Sequence, residues 1–379
     1  MSGAVPIQPD TEFIRDVLRQ GGTDFKKCMQ CSTCSCTCEL STEDAGFPRR
    51  QVLEAQWGQK DRLMADPGPW LCFYCGECSR ICPRGANPGE TMMALRRVLT
   101  AEYDWTGLAR RMYRSAFWEL GILVLVAAMV MLLFILPSNF GFELLAQSGP
   151  RALEHVDLES FAPVHVVHRG DTIMALGLAL LLLINAARML RFLTRGTGIP
   201  ARYYFGELRL LVAQGLFQER WRECKEPESH RNWLRHLFLV SGYVTIFSLV
   251  VIFLPWFQRE DSAWHWTSIP GYYSTAILLG TTGWILLDRL SRRTEMHRFS
   301  HLSDWLFPIL LFLTALTGIL VHVLRLMDMA MATYILYMVH LAIAVPMLVV
   351  EVPFGKWAHL LYRPLAIYVA AVKRRAMES

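Results

Sequence analysis

Cysteine all but vanishes from this chain after Phe117: of ten cysteines, only Cys224 lies beyond that point. The 379 residues also show little strand-type alternation, no internal repeat, no low-complexity tract and no adjacent Cys-Cys pair. Each absence excludes something. Without alternation of apolar and polar residues there is no basis for a sheet. Without a Cys-Cys pair there is no ready-made dithiol for cleaving a disulfide. One segment, GTGIPA at Gly196, formally matches a dinucleotide fingerprint, but it follows an apolar helical pattern rather than a strand and reads as a loop. The opening residues, MSGAVPIQPDTEFIRD, hold no apolar core of the secretory type. The N-terminal part is therefore expected in the cytoplasm, where clustered cysteines read as metal ligands rather than disulfides.

What is present falls into two parts. The chain is 53% hydrophobic, and the apolar residues concentrate after Phe117. A helix needs about 20 apolar residues to cross a bilayer. Six stretches qualify as expected spans, at 117–136, 172–190, 236–256, 271–288, 304–325 and 332–354. Lys and Arg set their direction. The segment 188–235 carries ten, 289–298 carries four and the tail from Lys356 carries five. The opposite loops carry only Arg151, Arg169 and Arg259. Both termini are thus expected on the cytoplasmic side of the cell inner membrane. The net charge of +5 is accounted for by this asymmetry without invoking nucleic acid. Trp118, Trp256, Trp284, Trp305 and Trp357 stand near span ends, as interfacial aromatics do.

The cysteines before Phe117 form two groups: Cys28-x2-Cys31-x2-Cys34-x3-Cys38 and Cys72-x2-Cys75-x2-Cys78-x3-Cys82-Pro83. This is the spacing of bacterial two-cluster ferredoxins, in which the fourth thiolate ligates the other cluster. It assigns one [4Fe–4S] cluster to Cys28, Cys31, Cys34 and Cys82, and the other to Cys72, Cys75, Cys78 and Cys38. Structural zinc sites use paired CxxC motifs instead. Cys36 is left over and reads as a bystander, and Cys224 as an isolated thiol. The flanking stretches FPRRQVLEAQWGQKDRLMA and NPGETMMALRRVLTAEY read as helical. The expected fold is all-α: a helical ferredoxin-like domain over 1–110, then a six-helix transmembrane cytochrome b bundle over 111–379.

Four of the eleven histidines are informative, because ionisable residues within a bilayer are functional by default. His340 lies inside the last span and His359 nineteen residues further on, so they sit near opposite faces at about 1.5 Å per residue. His322 is level with His340, and His236 with His359. Two b haems, each held by two imidazoles, would use all four. His168 is the rival of His322. Asp171, Arg325, Asp328 and Tyr334 are further outer-side groups from which a quinone site could be drawn.

KKCMQCSTCSCTCEL and WLCFYCGECSRICPRGANPGETMMALR resemble the iron–sulfur C subunits of heterodisulfide reductases. The stretch YILYMVHLAIAVPMLVVEVPFGKWAHLLYRPLA resembles the last helix of respiratory nitrate reductase gamma-type cytochromes b. There one histidine deep in the helix and one after a Pro-Phe pair bind two haems, here His340 and His359 after Pro353-Phe354. The gamma pattern's second histidine in an earlier helix falls near Ile246, for which His322 is the substitute. The fusion of the two halves is similar to membrane subunits of the quinone-interacting membrane-bound oxidoreductase (Qmo) family. That resemblance implies menaquinone as substrate, soluble QmoA- and QmoB-like flavin–iron–sulfur subunits as partners, and a link to adenylylsulfate reductase in dissimilatory sulfur metabolism. Heterodisulfide-reductase-like complexes, sulfite-reduction-linked complexes and a membrane redox sensor are the other readings.

Overall fold

The computed structural model describes residues 8–43, 46–136, 140–219, 227–258, 265–292, 297 and 299–378, so Cys224 lies outside it. Every element among these residues is helical. In the N-terminal part, Asp10 caps the helix Thr11–Arg19 by accepting a hydrogen bond from the Phe13 amide at 2.9 Å. Phe13 and Val17, one turn apart, enter a core with Phe25, Val52, Leu63 and Leu95. The first flanking stretch becomes two helices, Arg49–Gln56 and Lys60–Ala65. The break falls at Gly58, whose φ of 62° puts its backbone against Asp10, where a Cβ would not fit. The second stretch becomes the helix Pro88–Tyr103, buried along nearly its whole length. Arg114, beyond the expected boundary at 110, still belongs with these helices, because its guanidinium pairs with Asp16 at 2.7 Å.

Among the described residues, five helices are long and apolar enough to cross a membrane: Ala116–Ile135, Val164–Thr194, His230–Val251, Leu302–Leu326 and Ala330–Phe354. The sixth expected stretch, 271–288, is not among them. The stretch 271–288 does form a helix, Ser268–Ser291, packed between its neighbours at 230–251 and 302–326. Its run of Gly, Ser, Thr and Tyr leaves it less apolar than the other five.

The last apolar stretch is not one straight helix. Proline lacks an N–H and its ring crowds the carbonyl four residues back. At Pro346 the α-helix from Ala330 gives way to a π-helical turn, Met347–Glu351, then to the short helix Val352–Phe354. Gly355 and a tight turn at Lys356–Ala358 redirect the chain into a final helix, His359–Met377. This final helix is not a solvated tail. Tyr362, Ala366, Val369 and Val372 are buried with Trp70 and Tyr103 of the N-terminal part and with Met189 and Leu193 of the second apolar helix. The cysteine-bearing domain thereby packs against one end of the bundle.

Ion pairs fasten the same junction. Arg97 of the helix Pro88–Tyr103 bonds Glu90 at 2.9 Å and Asp304, at the start of Leu302–Leu326, at 2.9 Å. Lys356 takes the other oxygen of Asp304 at 2.6 Å. Asp304 also closes the cap of its own helix by accepting from the His301 amide.

Candidate redox site

The two cysteine groups are held by the same backbone device used twice. Each opens on a short helical turn, Phe25–Lys27 before Cys28 and Gly68–Leu71 before Cys72. Each then places left-handed residues at matching positions: Gln30 and Ser32 in the first loop, Tyr74 and Gly76 in the second. Two positive φ angles around the second cysteine curl the loop about a common centre. A second short helix follows in each, Thr33–Thr37 carrying Cys34 and Glu77–Arg80 carrying Cys78. The sequence shows the shared spacing but not this shared conformation, because only one of the four positions is glycine.

The loops face each other. Cys28, Cys31, Cys34 and Cys82 line one small cavity together with Arg49 and Arg84. Cys38 lies close enough to Cys72 and Cys75, and to Cys34, for their charges to act on it, and its own charge acts on Cys78. Burial pushes the Cys38 thiol up to about 11; the Leu40 amide opposes this and the neighbouring Cys72 and Cys75 add to it. Burial and the same neighbours raise Cys78 as well. Cys31 is held low by the hydroxyl of Thr33, 3.3 Å from its sulfur. Amides point at two other sulfurs, Tyr74 N to Cys72 and Ala86 N to Cys82, each at 3.3 Å. Such donors favour thiolate and tune the potential of whatever it ligates. Among the described residues no group of three His, Cys, Asp or Glu side chains is gathered as one metal ion requires. Thiols spread around a space suit a polynuclear cluster better than a zinc ion. Cys36 is exposed and lines no part of this cavity.

In the bundle, His236 and His359 come together. Their ring centres are 5.9 Å apart and their planes 79° apart. Two imidazoles on opposite sides of one metal, each about 2 Å from it, have ring centres about 6 Å apart. His359 Nδ1 is 2.5 Å from the Lys356 carbonyl, which fixes the ring and leaves Nε2 for ligation. Burial, followed by the His236 ring, pushes the pKa of His359 down to about 3, keeping it in the neutral, ligating form.

The other expected pair is arranged differently. His340 and His322 both line one cavity of about 300 Å³, with Asp171, Arg325 and Tyr337 on its walls. His340 Nδ1 meets Thr317 Oγ1 at 2.9 Å, and His322 Nε2 meets the Tyr272 hydroxyl at 2.7 Å. The rival His168 is turned to the Val251 carbonyl at 3.1 Å and is not on this wall. Asp328 and Tyr334 do not line this cavity: Asp328 pairs with His155, and the buried Tyr334 hydroxyl donates to the Ala152 carbonyl.

Sequence reasoning missed the residues that join the two sites. Phe73, between Cys72 and Cys75, stacks beneath the Arg363 guanidinium at 5.7 Å, and Arg363 borders the His236–His359 pocket. Trp70, two residues before Cys72, packs on Tyr362, three residues after His359, with ring centres 5.4 Å apart. A polar chain runs in parallel: the Tyr74 hydroxyl donates to Glu90 at 2.7 Å, and Glu90 leads through Arg97 and Asp304 to Lys356. The tail helix carries too short an apolar run to announce itself in the sequence.

Comparison with known proteins places the N-terminal part in a class. The family model of the 4Fe-4S dicluster domain matches residues 24–86, so this part of the chain is an iron–sulfur dicluster domain. It is similar to a protein of Archaeoglobus profundus described as like the C subunit of heterodisulfide reductase, 34% identical over 106 residues, 27% of this chain and 56% of that one. It is also similar to the C subunit of the H(2):CoB-CoM heterodisulfide,ferredoxin reductase of Methanothermobacter thermautotrophicus, 33% identical over 75 residues, 20% of this chain and 40% of that protein. The chain thus spans about half the length of these relatives. A longer likeness, at 24% identity over 324 residues, is to citrate utilization protein B of Escherichia coli; it covers 80% of this chain and 82% of that protein. No solved structure matches the chain significantly.

Proposed function

We propose that the chain is a membrane electron-transfer subunit that exchanges electrons between menaquinol and soluble flavin–iron–sulfur subunits. The observation that carries this is the contact between the two candidate redox sites: the Cys72 loop rests, through Trp70 and Phe73, on the first turn of the helix that begins at His359. Cys28, Cys31, Cys34 and Cys82 would hold one [4Fe–4S] cluster, and Cys38, Cys72, Cys75 and Cys78 the other. His236 and His359 would hold a b haem at the inner end of the bundle, and His340 with His322 a second at the outer cavity. When bound, these groups carry single electrons, with potentials tuned by ligand and burial. The chain itself sets their spacing, keeps His359 neutral and shields the junction from water.

The partners in this reading are of the Qmo type, working with adenylylsulfate reductase, and the termini face the cytoplasm. The chain-wide likeness to citrate utilization protein B favours a second reading of the same conduit, serving soluble partners in the utilization of citrate, a carboxylic acid. The identity of the soluble protein that co-purifies separates the two. The cofactor content tests both: we expect about eight irons and two b haems per purified chain. One haem per chain would remove the His340–His322 pair, and none would overturn the reading.

A further inference from the structure

Within the bundle one ionisable side chain stands out from every role assigned so far. Glu351 closes the π-helical turn Met347–Glu351 and is 0% exposed. Both of its carboxylate oxygens are buried without a hydrogen-bond partner among the described residues. The fold makes room for it: the carboxyl lies over Gly355, where a Cβ would stand 2.2 Å from Oε2. The charged side chain that acts on it is a second carboxyl, Glu119, in the first turn of the helix Ala116–Ile135 and 2% exposed. An unpaired carboxylate in such a place is costly, and a second one beside it more so. Intramembrane acids and π-helical turns both mark functional positions.

The surroundings supply fixed charges rather than a partner. Tyr113 from the helix Leu108–Arg114 is near enough to feel the charge of both carboxyls. Arg97 and Asp304 act on Glu119. Arg97, Asp304 and Lys356 are already tied to one another, with His301 capping the same helix. The two acids are therefore the groups at this spot left to change charge. Their position matters because Gly355, over which Glu351 lies, is four residues before His359.

We propose that Glu351, with Glu119 beside it, is a proton-exchanging pair coupled to the electron held between His236 and His359. One electron arriving there from a quinol-class donor is matched by one proton bound at the pair from water on the cysteine-domain side. When the electron leaves for the cysteine-held clusters, the proton returns. In a low-dielectric interior an added charge acts strongly on nearby ionisable groups, and proton uptake neutralises it. The inference rests on the assignment of a haem to His236 and His359.

Redox potentiometry on the full chain in lipid nanodiscs tests it, reading the haem band that is missing from a His236→Ala variant. We expect its midpoint potential to fall as pH rises in the wild type, and the slope to flatten in Glu351→Gln. The reduced-minus-oxidised infrared spectrum should show a protonated-carboxyl band that Glu351→Gln removes and Glu119→Gln shifts. An unchanged slope together with an unchanged band in Glu351→Gln overturns the inference while leaving the haem assignment standing. Should that variant fail to accumulate, the wild-type infrared spectrum and its response to Glu119→Gln decide, and absence of any carboxyl band overturns the inference. A wild-type chain without haem overturns both.

Discussion

Cys82 is separated from Cys28 by more than fifty residues, yet the two thiols border the same small cavity. A short helix, Glu77–Arg80, lies between the second loop and Cys82 and leads the chain to that cavity. A Cys82→Ser substitution is accordingly expected to disturb the cluster bordered by Cys28, Cys31 and Cys34 and to spare the other. Electron paramagnetic resonance of the reduced chain would show one altered signal of two. Cys36→Ser, at an exposed thiol inside the first motif, should leave the iron content unchanged. Loss of about half the iron in that variant would break the pairing of four and four. Ser32 and Gly76 illustrate how one conformational demand is met by different residues. Both are left-handed, and only the glycine adopts that conformation without steric cost.

Among elements, the junction between the cysteine domain and the bundle is the one whose charges cannot be spared. Asp304 receives Arg97 on one oxygen and Lys356 on the other, with the Asp304 and Arg97 side chains each 5% exposed. Replacing the carboxylate with Asp304→Asn would leave the buried Arg97 and the partly buried Lys356 without this counter-charge. Breaking such a buried pair typically costs about 3–5 kcal/mol. Thermal unfolding in detergent should therefore show early loss of the iron–sulfur absorbance, with the bundle's helical signal lost later. If both signals melt together at the wild-type temperature, the network does not hold the domain in place. The tail helix His359–Met377 belongs to the same junction, with Lys373 donating to the Ala65 carbonyl at 3.1 Å. Its burial explains why the final helix carries aromatic and apolar residues beside its basic ones.

The whole molecule has clusters' worth of thiols at one end and a 300 Å³ cavity among its apolar helices, but the described residues show no nucleotide-type Gly-rich loop. Chemistry on a sulfur compound or a carboxylic acid needs a two-electron centre. The purified chain is therefore expected to take electrons from a menaquinol analogue while turning over neither class of substrate. Turnover should appear when flavin-bearing partners are added. Stopped-flow absorbance, followed by steady-state assays with and without partners, would check this. Sustained turnover by the chain alone would show it to be an enzyme in its own right.

The sequence by itself determined what depends on spacing and local composition. The thiols fall at intervals that let one loop reach several corners of a cluster. The helices are set by long apolar runs, and their ends by Pro and Gly. His236 and His359 could be matched because helical rise converts residue number into depth. The tertiary structure alone decided what depends on contacts between distant segments. It brought Cys82 to the first motif and set Tyr362 and Arg363 against Trp70 and Phe73. It also paired Arg97 with Asp304 across more than two hundred residues. Two placements depend on neighbours in the same way. Ser268–Ser291 is a bundle helix by packing more than by hydropathy, and His322 faces Tyr272 because side-chain direction is set by neighbours rather than by depth. Glu351 shows the same division: its place in an apolar run is written in the sequence, while the isolation of its carboxyl follows only from how Gly355 and the surrounding helices close around it.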